Sequence, residues 1–471
     1  MSSSAFATWT GPLAVSALAM DAGQQAATAA GRFARARGID ATVDTTPSLV
    51  AASFAAIDRL RVEGSPVEAW GEFSGFVEAA DGWVRLHGNY PHHQAAIRRA
   101  LGAEDRAGLA AAIRRLPADV AVRRILERGG IATTVRTPHE WTAHPQAQAM
   151  LGVPWRQIDP SDERPDPPVG RTLAPGAPTH PRDSDLGPDG PASVLQPLAG
   201  VRVLDLTRVV AGPMATQLLA CLGADVLRID PPHHPEMLEA YLASGMGKRS
   251  ASADLATAEI APLLADADAV VLGYRPGSLA RFGLDPETLR ERYPQLVVGS
   301  LSAWGEVGPW GRRAGFDSIV QAATGIAHVC GTTAEDGSRR PGALPVQALD
   351  HSTGNLLAAG ILDLLADGRG GVVRTNLLGA ARILLEETGD GEDGAAAGRG
   401  SARAGEDGVG DRQGSDTSAR SDIPAGESLQ PELVELATAH GRVSTVPVPL
   451  RIDGVALAAP VSGYGAAAPR W

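Results

Sequence analysis

Residues 197–230 read PLAGVRVLDLTRVVAGPMATQLLACLGADVLRID, and their pattern decides the fold. VRVLDL, 201–206, is the nearly continuous apolar run of a strand buried on both faces. A polar turn, TRVVAG, follows, and Pro213 then opens a helix over MATQLLACL that Gly223 closes. DVLRID supplies a second apolar strand. Strand, helix and strand in this order predict a parallel α/β sheet whose ligand lies at the carboxyl ends of its strands.

The same alternation continues downstream. A helix around AEIAPLLADA, a strand AVVLGY, a strand LVVGSLS and a helix over FDSIVQAATGIAHV extend a doubly wound, Rossmann-like domain over residues 197–387. Within it, PVQALDHSTGNLLAAGILDLLADGRGG, 345–371, spaces Leu356, Leu357, Ile361, Leu364 and Leu365 as one helical face, with Asp350 at the helix N-terminus. Unpaired N–H groups and the helix dipole favour an ionised carboxylate there. That makes Asp350 a candidate nucleophile as well as a candidate cap.

Residues 1–155 carry helical stretches around a hairpin that turns at Asp81 and Gly82, and read as a smaller α+β domain. Residues 156–196, dense in Pro, Asp and Gly, are expected to be an extended linker. The Gly-, Ala-, Ser- and Asp-rich stretch 388–428 lacks the apolar residues to offset its ordering entropy and is expected to be disordered. Residues 429–471 are expected to return to the core as a helix and a strand or two.

The net charge of −12 argues against general affinity for nucleic acid or acidic membranes. No apolar run is long enough to span a bilayer and the start lacks a basic signal-peptide region, so a cytoplasmic protein is expected. Two cysteines, Cys221 and Cys330, fit a reducing compartment and make a cysteine metal site improbable on composition. Asp230, ending the second strand, stands where a dinucleotide enzyme keeps its ribose-binding acid, but the first turn has one glycine where G-x-G-x-x-G needs three. Basic residues gather at element ends: Arg208, Lys248 (the chain's single lysine), Arg249, Arg275 and Arg281. Such groups can meet phosphate oxygens. The pairs His92–His93 and His233–His234 lack ligand spacing and read as solvated loops.

Four ordered segments closely resemble the class III coenzyme A transferase family: residues 197–230, GKRSASADL, the stretch from GYRPG to QAATGI, and LDHSTGNLLAAGILDLL. That family includes formyl-CoA, carnitine and bile-acid CoA transferases and α-methylacyl-CoA racemases. The resemblance implies transfer of coenzyme A from an acyl-CoA to a free carboxylic acid. Asp350, heading a D-x-x-x-G motif with Gly354, falls on the family's nucleophile. Arg208, Val209, Val210, Ala211, Lys248, Arg249 and Arg275 fall on segments that contact CoA, which is a substrate; no tightly bound cofactor or metal is implied. An interlocked homodimer is implied too. Phe316 stands where racemase members carry a histidine, which favours transfer over epimerisation.

The segments DGWV (81–84) and RTPHEWTAHPQ (136–146) resemble the family's second half, yet precede the α/β half here. A circular permutation is the expected explanation, since permutation is tolerated where termini meet at the surface. The rival readings are an acyl-CoA racemase on the same scaffold and a non-catalytic CoA-binding protein.

Overall fold

The computed structural model describes residues 9–161, 195–335, 337–389 and 433–471. Its centre is a seven-stranded sheet built from β4 (Arg156–Pro160), β5 (Arg202–Leu206), β6 (Asp225–Asp230), β7 (Lys248–Ser252), β8 (Ala269–Leu272), β9 (Val297–Ser302) and β10 (Gly371–Asn376). The order across the sheet is β7-β6-β5-β8-β9-β10-β4. Six strands are parallel, and β4 is antiparallel at the edge beside β10. Both directions of winding start from β5, so the strand order reverses between β5 and β8, the position at which doubly wound sheets receive their ligands.

Alternate residues of these strands feed different layers. Val203, Val226, Val271 and Val297 enter one apolar core, and Leu204, Leu227, Val270 and Val298 enter another on the opposite face. Burial on both faces is why the strands read as continuous apolar runs rather than as alternating ones. Helix α5 (Ala348–Ala366) lies on the first face, with Leu357, Ile361 and Leu364 in its core. Gly299 of β9 makes room for it: a Cβ there would stand 3.0 Å from Ile361 Cδ1 and 3.3 Å from Leu357 Cδ1.

Three expectations are corrected. Residues 1–155 were grouped as one small domain, but α1 (Val15–Ala36) packs against α5; Ala26, Ala27 and Ala30 share the core of Leu357 and Ile361. The alanine and glycine face of α1 lets two helices lie close together, and Arg32 anchors it to Asp363 at 2.9 Å. The separate small core belongs to β1 (Gly75–Glu78), β2 (Trp83–Leu86), β3 (Ala132–Thr134) and the helices between β2 and β3, the first being α2 (Pro91–Leu101). Second, Arg156–Pro160, placed in the linker, is the seventh strand; 162–194 lies outside the described residues, as does 390–432, most of the low-complexity stretch. Third, the segment PELVELATAH forms a strand, Val434–Thr438, paired with Gly441–Thr445, where a helix was expected. Its V-E-L-A-T alternation suits a half-covered strand, and Val443, Val448 and Leu450 then enter the core beside α5.

The RTPHEWTAHPQ segment fastens the small core to the α/β half. Gln146, fully buried, donates from Nε2 to the carbonyls of Trp304 (2.8 Å) and Val307 (2.9 Å) and accepts from the Trp310 N–H (2.7 Å). Trp141 and Trp304 share one core. Among the described residues no helix is long and apolar enough to cross a membrane.

Gly299→Val is expected to destabilise the protein by about 1–3 kcal/mol through overpacking under α5, read as a lower midpoint in thermal or urea unfolding.

Candidate active site

The turn after β5 and the start of α5 are brought together by two glycines. A Cβ on Gly354 would stand 2.4 Å from the Ala211 carbonyl oxygen, and one on Gly212 would stand 2.5 Å from Thr207 Cβ. Gly354 therefore lets the backbone of α5 lie directly on the first residue of α3 (Ala211–Cys221). Asp350 sits one helical turn before that contact, third in α5. The spacing of D-x-x-x-G is thus a packing requirement that fixes the carboxyl over the first βα turn.

That turn is itself held tightly. Asp205, at the end of β5, accepts from Thr207 N (3.0 Å) and Thr207 Oγ1 (2.5 Å) on one oxygen, and from Thr216 Oγ1 (2.6 Å) and Lys248 Nζ (3.0 Å) on the other. Val209 adopts φ +73°, an unusual conformation for a β-branched residue. Its N–H donates to Glu236 Oε2 at 2.8 Å, and Glu236 is in turn bound by Arg228 Nη2 (3.0 Å) and the Tyr90 hydroxyl (2.5 Å). The Arg208 guanidinium lies over the Tyr90 ring, 4.9 Å from its centroid, and donates to the Pro235 carbonyl at 2.8 Å. Arg208, Val209, Val210 and Ala211 therefore gather at the sheet's carboxyl edge, and Ala211 meets α5 one helical turn after Asp350. Arg275, exposed in the turn after β8, joins them on the other side of the switch point.

Lys248 and Arg249 take different roles from those expected. The Lys248 ammonium is buried between Asp205 and the Pro213 carbonyl (2.7 Å). Arg249, at the amino end of β7, is paired with both oxygens of Asp225 at 2.9 and 3.0 Å and with the Arg470 carbonyl at 2.7 Å. Both cations are committed to internal partners, because the first residues of a parallel strand lie opposite the ligand edge. Lys248 reaches Asp205 and braces the fold under the turn, whereas Arg249 ties the amino ends of β7 and β6 to the C-terminal segment.

The ionisation of Asp350 also departs from expectation. Burial, and then the negative charge of Asp317, push its carboxyl well above the ordinary carboxylate range. A helix N-terminus contributes about 0.3–1 kcal/mol to a nearby anion, whereas burying a charge costs several kcal/mol. Desolvation wins. The helix end is still occupied by a carboxylate, but it is Asp317, first residue of α4 (Asp317–Thr324), whose Oδ2 accepts from the Asp350 N–H at 3.0 Å. Burial raises Asp317 to about 6, against the backbone and Gln321 donors that hold it down. Two buried carboxyls thus share one site and titrate as a pair. Sequence reasoning passed over Asp317, Asp205 and Glu236, none of which has a distinctive local motif; only the reversal point of the sheet collects them.

Lys248→Met is expected to destabilise the fold by about 3–5 kcal/mol, because it leaves Asp205 buried and unpaired. Denaturant unfolding measures this, and Lys248→Met combined with Asp205→Asn is expected to recover most of the loss.

Comparison with known proteins bears on which chemistry this edge serves. Residues 198–411 match the model of CoA-transferase family III. A probable fatty acyl-CoA transferase, Rv3272, of Mycobacterium tuberculosis is 37% identical over 187 residues, 36% of this chain and 46% of the relative. The succinate–glutarate CoA-transferase of Agrobacterium fabrum is 34% identical over 215 residues, 40% of this chain and 53% of its own length. The crystal structure of Rv3272 aligns with 42% of this chain and 60% of its own, at 34% identity and a TM-score of 0.38. The chain spans about half the length of the curated relatives it matches. By that match, residues 198–411 of this chain are similar to CoA-transferase family III.

Proposed function

We propose that the chain transfers coenzyme A between an acyl-CoA thioester and a free carboxylic acid, with Asp350 as nucleophile. The observation that carries this reading is the contact of Gly354 with the Ala211 carbonyl. It sets a buried carboxyl beside the turn where an α/β sheet receives its ligand. The names of the transferase relatives support it.

In the reaction, an ionised Asp350 oxygen attacks the thioester carbonyl, the C–S bond breaks and the CoA thiolate leaves, giving a mixed anhydride. The thiolate attacks the Asp350 acyl carbon, the donor acid departs as its carboxylate, and an aspartyl-CoA thioester remains. The acceptor carboxylate attacks that thioester, and the same steps in reverse return a new acyl-CoA and a free Asp350. Arg208 and Arg275 are proposed to meet CoA phosphates, with the backbone of Val209, Val210 and Ala211 lining the approach. Phe316, which cannot titrate, favours transfer over α-proton exchange.

The reading extends to assembly. The docking of Gln146 on the Trp304–Trp310 loop supports residues 75–146 as the family's second half, reached here in permuted order. An interlocked homodimer and a cytoplasmic location are proposed with it.

Because burial and Asp317 hold the proton on Asp350, transfer is expected to rise with pH along an acid limb above the ordinary carboxylate range. Asp317→Asn removes the negative neighbour, so the limb is expected to move to lower pH. Transfer from an acyl-CoA to a panel of acids, followed by mass spectrometry across pH, measures both. α-Deuteration without movement of CoA between acids would instead favour a racemase.

A further inference from the structure

Strand β2 and the residue that follows it carry two side chains that the reaction above leaves unused. Arg85 and His87, two residues apart, project from the same face, and both are buried. The Arg85 guanidinium lies between the Trp70 ring (5.1 Å to the centroid) and the Phe76 ring (4.7 Å). Those contacts engage the cation with aromatic faces and do not satisfy its N–H groups. Its Nε is buried without a hydrogen-bond partner, and among the described residues no carboxylate lies within ion-pair distance of it. The His87 ring is stacked on Phe316, centroids 3.7 Å apart, and neither of its nitrogens has a partner. The buried Nδ1 of His93, whose ring is 6.0 Å from that of His87, is unpaired as well.

An unpaired buried polar nitrogen is costly, and a buried cation without a counter-charge costs more. The Arg85 Nε–H and the single N–H of a neutral His87 are donors without a partner of their own, and an anionic acceptor would satisfy both. The charged groups that act on the pair are Asp317, which favours the Arg85 cation, and Arg106, which opposes it; His93 and Arg85 act on His87. The place adjoins the acid pair, since Phe316 holds His87 and the next residue, Asp317, takes the Asp350 N–H. A dianionic phosphate this close to Asp317 meets more repulsion than a monoanion. A planar carboxylate matches a guanidinium edge and an imidazole N–H.

We propose that Arg85 and His87 form the subsite that holds the carboxylate of the free acid, the substrate that accepts coenzyme A. The subsite deepens the transferase reading and rests on it for the word acceptor; carboxylate binding itself is measured without turnover. Acetate and succinate are titrated into the full-length protein by calorimetry in the absence of CoA, with inorganic phosphate as the comparison anion. Binding of at least one acid is expected, with Kd raised about tenfold or more in Arg85→Met and in His87→Phe, the loss of one charged hydrogen bond. Arg85→Lys is expected to bind with intermediate affinity. In the transfer assay the same variants raise KM for the acid and leave KM for the acyl-CoA unchanged.

Failure of both acids to bind the wild-type protein, equal Kd in the variants, or stronger binding of phosphate overturns the assignment. Should Arg85→Met fail to fold, His87→Phe decides alone, because it keeps an aromatic ring on Phe316. If the protein proves not to transfer CoA, the titration still tests the carboxylate site, so the two failures are distinguishable.

Discussion

The contact between Gly354 and the Ala211 carbonyl is the constraint on which the rest of the molecule depends. Any side chain at 354 would hold α5 away from α3 by the width of a methyl group, and the carboxyl of Asp350 would leave the edge of the sheet with it. The same logic recurs beneath α5, where Gly299 admits Leu357 and Ile361, and beneath the turn, where Gly212 admits Thr207. Small residues set the geometry, and the buried apolar faces of the sheet supply the free energy that holds it.

Electrostatics then divide the charged residues into two groups. Lys248 with Asp205, and Arg228 with Asp230 and Glu236, are buried and ion-paired; they fix the loop that follows β5, including the strained Val209. Asp350, Asp317, Arg85 and His87 form the second group, in which burial is incompletely compensated. Such groups keep perturbed ionisation or open hydrogen-bonding positions, which is the condition expected of residues that await a substrate.

Much of the fold was legible because a doubly wound sheet writes itself as alternating apolar strands and capped helices. VRVLDL, DVLRID, AVVLGY and LVVGSLS all form strands of the central sheet. The motifs also located Asp350, since D-x-x-x-G is a local requirement of one helix touching another. What the sequence did not reveal depends on contacts between distant segments. The alanine face of α1 could not declare its partner, and Arg156–Pro160 looked like linker until β10 offered an edge. Lys248 stood among the candidate phosphate contacts because nothing local announces that Asp205 lies beneath it. The ionisation of Asp350 was misjudged for the same reason: the helix dipole is visible in sequence, whereas desolvation and the approach of Asp317 arise only in the folded chain.

The central claim is that Asp350 forms a covalent bond to the acyl group and then to coenzyme A. Incubation with an acyl-CoA, trapping with hydroxylamine or borohydride, and peptide mass spectrometry test it directly. The account predicts a hydroxamate or a reduced side chain at residue 350, dependent on acyl-CoA and absent from Asp350→Asn. An unmodified Asp350 in protein that still moves CoA between acids would contradict it.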